Sequence, residues 1–381
     1  MPNLKDTSIN SFHGHYLYDQ ILASDHLFVK LVGAVDWSVF TRKLMKLYKG
    51  GGEYGPPPYD PALILRMLLV SYLYNISERA TEEFVRYFIP AKYFVGLGVD
   101  ELPPDHSTLT VFKERLLKHS GQKAVEAIFN EIIRQAKSKG VQFGDIQAID
   151  STHSWADVNP DKDRQRKNKQ NKPPRDPDAS WGTKRVKKVK DSKGKTQLIP
   201  ERFHGYKIHA SMNHQADLIT SLVVTTGAVH DGHYLKPLIN KDLKKKIPLS
   251  KVTADKGYDD GDLVCFLEER NILPAIALRK TRTAKKWQEL KEDLDYQQAL
   301  KKRPQIERLF GEAKKHHGLA SCRYLGKQKL AIQAYFTFMA MNLKRMVKHH
   351  STNQPFPSTL PPRYQLALSA LPRPPSWRKL S

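Results

Sequence analysis

The strongest constraint on the fold lies at Gly144, where one hydrophobic pattern stops and another begins. Upstream of it the chain reads as helices with short turns. Asp60 is placed as an N-cap with Pro61 at the first helical position, opening an apolar helix to about Tyr74. Asn75-Ile76-Ser77 ends that helix, and Ser77 can cap a second over Glu78–Phe88. Pro104-Asp105-His106-Ser107 starts a third, Thr108–Gln122, followed by a longer helix to about Lys137. Downstream, apolar runs shrink to strand length: Asp145–Asp150 (DIQAID), then Tyr206–Asn213 and Leu218–Thr226, which a four-residue turn joins as a hairpin. Helix Leu235–Lys245, strand Lys251–Ala254, helix Asp262–Asn271, strand Ile272–Leu278 and helices Gln305–His317 and Gln328–Lys348 complete the pattern. Strand, hairpin, then alternating helix and strand predicts an α/β fold: a mixed sheet with flanking helices, preceded by an all-helical N-terminal region. The expected division is 1–140 helical, 141–350 α/β, and 351–381 a Pro-rich, poorly ordered tail. The cluster Gly50–Pro58 is a breaker inside the helical part.

Charge narrows the class of partner. Sixty-three Lys and Arg against 39 Asp and Glu leave a formal charge of +24, which calls for a polyanion, either nucleic acid or an anionic membrane surface. The apolar runs Pro61–Tyr74 and Ala331–Leu343 fall short of the ~20 residues a bilayer span needs, so no membrane association is expected. The first residues show no secretory signal pattern, and two cysteines, Cys265 and Cys322, exclude a disulfide framework or a Cys-rich zinc module. A cytoplasmic chain follows as the expectation. The stretch 158–200 has no hydrophobic periodicity and reads as a loop; residues 161–207 hold 16 basic and 6 acidic side chains. Such a run is either a solvated loop or a phosphate contact, with Lys184, Arg185, Lys187, Lys188 and Lys207 the candidates.

Three carboxylates stand out by position. Asp150 ends the apolar run Ile146–Ile149, and Asp255 ends Val252–Ala254, so both lie at the carboxyl ends of strands, where ligands bind in α/β sheets. An Asp in such a place can equally be a turn-former or a helix cap. Glu307 lies in Arg303-Pro304-Gln305-Ile306-Glu307, and Lys314 follows two turns later, about 20° away on a helical wheel. That face also reads as an ordinary solvated one. Pro304 is expected to keep Arg303 out of the regular helix. His204, His209 and His214, spaced by five, would alternate between strand faces and make no metal site. Asp231 reads as a turn residue, Asp157, Asp161 and Asp163 as solvated, and the paired histidines 316–317 and 349–350 as helix-end caps. Trp155, Trp181 and Tyr206 flank the basic stretch and either pack or stack on bases.

Taken together, Asp150 in AIDST, Asp255 in TADKGYD and Arg303-x3-Glu307-x6-Lys314 resemble the DDE signature of bacterial insertion-sequence transposases, in the group related to insertion sequences four and five. FHGYKIHASMNHQADLITSLVVTTGAVHDG is similar to the middle strands of that family, and YLYNISERATEE with PDHSTLTVFKERL to its N-terminal helical domain. The likeness spans roughly residues 15–348; Leu300 stands where the family often has Tyr.

The resemblance implies an RNase H-like fold, with Asp150, Asp255 and Glu307 as catalytic residues and metal ligands. Two Mg²⁺ ions (Mn²⁺ a substitute) would lie ~3.5–4 Å apart, bridged by Asp150, because hard cations take oxygen ligands. Water would first free a 3′-OH at the transposon end, and that 3′-OH would then attack target DNA. Arg303 and Lys314 would hold flanking phosphates. The implied partners are double-stranded DNA, as terminal inverted repeats and as target, and a second copy of the chain in a synaptic homodimer. The helical region 1–140 would bind the repeats, with Arg79, Arg86, Lys113 and Arg115 either contacts or plain surface charge. A silent, transposase-derived DNA-binding protein and an RNase H-like nuclease without strand transfer are the competing readings. The cellular site implied is the bacterial cytoplasm, at the nucleoid.

Overall fold

The computed structural model describes residues 4–10, 12–48, 57–190 and 196–353. Most of the Gly-rich breaker and nearly all of the Pro-rich tail lie outside the described residues. The helical part comprises α1 (Phe12–Ile21), α2 (Leu27–Ala34), α3 (Ser38–Leu44), α4 (Pro61–Leu73), α5 (Glu78–Tyr87), α6 (Ile89–Val95), α7 (His106–Ser120) and α8 (Gln122–Ser138). Its caps form as their chemistry requires. Asp60 Oδ1 accepts from the Ala62 amide at 2.8 Å, Ser77 Oγ from Ala80 at 3.1 Å, and Asp105 Oδ1 from Ser107 at 2.7 Å. α6 has no sequence counterpart in the helical reading, and it stops where Gly96 turns to φ 95°.

The second part contains β1 (Ile146–Trp155), α9 (Pro160–Gln170), β2 (Ser180–Lys190), β3 (Thr196–Asn213), β4 (Leu218–Thr226), α10 (Leu235–Lys244), β5 (Lys251–Ala254), α11 (Gly261–Glu268) and β6 (Leu273–Ile276). After these come α12 (Lys285–Glu292), α13 (Leu294–Lys302), α14 (Pro304–His316) and α15 (Lys327–Asn353). In the sheet, β3 is antiparallel to β1 and β4, whereas β1, β5 and β6 run parallel. An antiparallel meander joined through its first strand to a parallel pair, with helices on both faces, is the RNase H-like arrangement.

The stretch 158–200 is not a loop. Asn159 accepts from the amides of Asp161 and Lys162 at 3.0 and 3.1 Å and starts α9, with Pro160 at its first position. Residues 180–190 pair with 196–205 as an antiparallel ribbon from Ser180↔Gly205 to Lys190↔Thr196. Apolar alternation could not announce it, because its sequence is mostly polar and backbone pairing carries it.

Two apolar layers sandwich the sheet. Ala148, Tyr206, Ile208, Ala210 and Met212 face a core shared with α14, α15 and the N-terminal helices. Ile149, Val252 and Ala254 face α10 and α11. α15 is buried from Leu330 to Leu343 and packs on β4, α8, α4 and α2 at once. A helix apolar all round needs neighbours on every side.

Candidate active site

The register of the parallel strands creates the site. Ile149 pairs with Ala254 as the last rung of β1 and β5, so Asp150 and Asp255 are the residues that follow it on the two neighbouring chain segments. Strands lie ~4.8 Å apart, and opposed residues on parallel strands project to the same face. That face is the one Ala148 shares with α14. Asp150 does not end its strand: β1 continues five residues to Trp155, paired to β3 and, at Trp155, bridged to Ser321, while β5 stops. A notch therefore opens beside Asp150 where the parallel partner turns away. Asp255 keeps extended backbone (φ −73°, ψ 164°), and its carboxylate accepts from the Lys256 amide at 2.7 Å.

Glu307 sits in the first turn of α14, which buries Ile306, Leu309, Phe310 and Ala313 and lies against β1. Its carboxylate is exposed and ion-paired with Arg303 one turn earlier. As expected, Arg303 lies in neither regular helix but between the end of α13 and the start of α14, although its backbone dihedrals stay helical. Arg303 holds φ −50°, ψ −43° and serves both as the end of α13 and as the start of α14, where a proline at the first position costs no hydrogen bond. Two turns on, half-buried Lys314 points Nζ to within 3.4 Å of His153 Nδ1 on β1. Loss of water and the Lys184 charge lower the Lys314 pKa to about 8.

Asp150 is the electrostatic centre. Removal from water, together with repulsion from Glu307 and Asp255, lifts its carboxyl to about 7, against the pull of the Ser151 amide and Arg303. The three oxygen-bearing groups are thus within electrostatic reach of one another, yet not packed into one tight cluster. Among the described residues, the three-ligand group within 4.8 Å is Glu82, Asp105 and His106, far back in the helical part and bound up in the start of α7.

The basic candidates separate. Lys184 lies exposed on β2, 3.4 Å from Glu201. Arg185, Lys187 and Lys188 occupy backbone positions of β2, and their side chains lie outside the described ones. Lys207 instead turns inward, donating to Asp231 Oδ1 at 3.0 Å and the Val229 carbonyl at 2.9 Å, which leaves 14% of its side chain exposed. Asp231 is accordingly no simple turn residue, for it also lies 3.7 Å from buried His209 Nδ1. Lys113 is likewise internal, paired with Glu78 and bonded to the Tyr324 hydroxyl at 2.9 Å. Arg86 pairs with Glu82, while Arg79 and Arg115 stay exposed. Asp163 is buried and accepts from the Arg175 amide; Asp157 and Asp161 are exposed as expected. His317 is buried as well, its Nδ1 2.7 Å from the Tyr72 carbonyl. Tyr206 packs, donating to Asp176 at 2.5 Å, whereas Trp155 and Trp181 remain 43% and 53% exposed.

Two side chains escaped the sequence reasoning. His153, held neutral with its pKa lowered to about 4 by loss of water and then by Lys314, lies beside the α14 cation. Tyr258, in the turn after Asp255, is buried with its hydroxyl near Ser151 and the Asp150 carboxylate. Alternation in DSTHSW would have found His153, had β1 been carried past Asp150.

Comparison with known proteins identifies the family. A family profile described as a transposase DDE domain matches residues 141–343, and one described as a transposase domain matches residues 15–115. The first spans more than half of the chain, and the chain belongs to that family: it is a DDE-type transposase. Among solved structures, a piggyBac transposase synaptic complex with hairpin DNA is similar at 11% identity, covering 93% of this chain and 79% of that one with a TM-score of 0.37. A Mos1 strand transfer complex is similar at 12% identity, with coverage of 87% and 96% and a TM-score of 0.27. Those scores are too low to bear on the fold, which rests on the strand order. Among the described residues no helix is long and apolar enough to cross a membrane.

Proposed function

We propose that this transposase binds the terminal inverted repeats of an insertion sequence and cuts and joins DNA at Asp150, Asp255 and Glu307. The carrying observation is the pair of carboxylates that directly follow the last paired rung of adjacent parallel strands, with Glu307 within electrostatic reach. A carboxyl raised to about 7 first by burial and then by two neighbouring carboxylates is a site short of positive charge, and its oxygen-only donors suit a hard divalent cation. Asp150, Asp255 and Glu307 would together hold divalent cations, Mg²⁺ or Mn²⁺. When bound, the ions stabilise charge on the attacking and leaving oxygens. Arg303, released from Glu307 as that carboxylate takes up its ligand role, and Lys314 would fix the phosphates on either side of the scissile bond. Two ends must be held together for transfer, so the working form is a homodimer in the synaptic complex, at the bacterial nucleoid.

The test is a cleavage assay on DNA carrying the repeats that flank the gene, with Mg²⁺ or Mn²⁺. Asp150→Asn, Asp255→Asn and Glu307→Gln should each abolish nicking at the repeat terminus and retain end binding. Near-wild-type nicking by any one removes that residue from the site. Joining of a free 3′-OH end to plasmid DNA distinguishes transfer from simple nuclease action.

A further inference from the structure

The ribbon formed by β2 and the outer half of β3 has no place in the chemistry above. Inward of Gly205, β3 is paired on both sides, to β1 and to β4. Outward of His204, the described strands pair only with each other. Nine residues of β3, Thr196–His204, run beyond the sheet, a reach of ~30 Å at ~3.3 Å per residue. A lone two-stranded ribbon is marginal in water, so its survival calls for a partner surface.

Its composition says which. Residues 180–190 and 196–204 hold six Lys or Arg and a single acid, Glu201. Trp181, Thr183, Lys184, Ile199 and Pro200 are exposed. The root, by contrast, is fixed. Gly182 is buried where a Cβ would stand 2.3 Å from the Gly227 carbonyl and 2.6 Å from the Phe203 ring. Ser180 Oγ accepts from the Ala228 amide at 2.9 Å, and the Phe203 ring lies 4.9 Å from that of His153, the neighbour of Lys314. A rigidly rooted, cationic arm thus leaves the protein beside the α14 cation.

From this we propose that the β2–β3 ribbon is a DNA-gripping arm that lies along the major groove of the duplex leading away from the scissile phosphate. The major groove admits a two-stranded β-ribbon, and ~30 Å is close to one helical turn. The inference rests on the reading of the chain as a DNA-cutting enzyme but uses none of its three carboxylates.

The experiment measures binding of the full chain to a fluorescent mixed-sequence duplex in EDTA across a salt series, with hydroxyl-radical footprinting. The variants are Lys184→Gln alone and Lys184→Gln with Arg185→Gln, Lys187→Gln and Lys188→Gln. Each lost phosphate contact lowers the slope of log K against log salt by about 0.9. The single variant should therefore lose about 1 and the fourfold variant about 2 to 4, with the footprint shortened by about one turn. Lys184 is exposed, and its ion pair among the described residues is with Glu201, so its single substitution keeps the test valid should the fourfold variant misfold. Unchanged slope and footprint overturn the proposal. So does a loss of self-association with unchanged DNA binding, which would make the ribbon a contact between copies. No cleavage is read, so a failed catalytic assignment leaves this result interpretable.

Discussion

Replacing Asp150 by Asn should stabilise the metal-free protein. In the folded chain this carboxyl is lifted from the ordinary 3.8 to about 7, first by removal from water and then by Glu307 and Asp255. At ~1.4 kcal/mol per tenfold in proton affinity, that rise amounts to ~4 kcal/mol. Solvent reaches part of the group, and halving for that exposure leaves ~2 kcal/mol. The sign follows from linkage. The folded state holds the proton more tightly, so raising the pH from about 4 to about 7 progressively destabilises it, and above 7 the full cost is felt. Asn carries no such burden. In EDTA at pH 8, Asp150→Asn should raise the melting temperature by ~4 °C, and at pH 5 by about a third of that. Urea titrations at the two pH values give the free energies directly. Added Mg²⁺ at ten times its Kd should return ~1.4 kcal/mol to wild type and little to the variant. A variant less stable than wild type at pH 8, or an equal difference at both pH values, would refute the electrostatic account.

Lys314→Arg should keep DNA affinity level up to pH 9.5, whereas wild-type affinity declines above about 8 as Lys314 loses its charge; parallel pH profiles in fluorescence anisotropy would remove Lys314 from phosphate contact. Lys113→Ala should cost ~2–3 kcal/mol in urea unfolding, because it removes the cation from half-buried Glu78, which keeps the Tyr324 and Thr110 hydroxyls as donors; a change below ~0.5 kcal/mol with weakened DNA binding would make it a DNA contact instead. Gly318→Ala should destabilise by ~1–3 kcal/mol, since φ is 69° and a Cβ would stand 2.3 Å from Asn75 Oδ1; a melting temperature equal to wild type would show that the turn relaxes freely.

The position of the carboxylates was legible in the sequence because each follows or accompanies a strong local signal. Lys251–Ala254 is apolar, short and bounded, and it appears in the structure with those ends. β1 was cut short at Asp150 because DSTHSW is polar: its second half is held by β3 pairing, which no local pattern records. The ribbon stayed hidden for the same reason, and α12 and α13 because their exposed, charged faces resemble linker sequence. Charge alone could not separate Lys184, on the surface, from Lys207 and Lys113, which neutralise buried or half-buried acids. That distinction belongs to tertiary contacts between residues 24 and 35 positions apart. Proline at position 304 was legible as a boundary: it opens α14 and leaves Arg303 between the two helices, yet still close enough to pair with Glu307.

α15 carries a consequence for how the molecule is made. It is the last of these elements to leave the ribosome, yet its apolar surface is the floor under both the sheet and the N-terminal helices. Neither half can close its core while the chain is still being synthesised. The early helices must wait, partly open, for a segment more than 180 residues downstream, and a catalytic region produced without residues 1–140 would present α15 with an unburied flank.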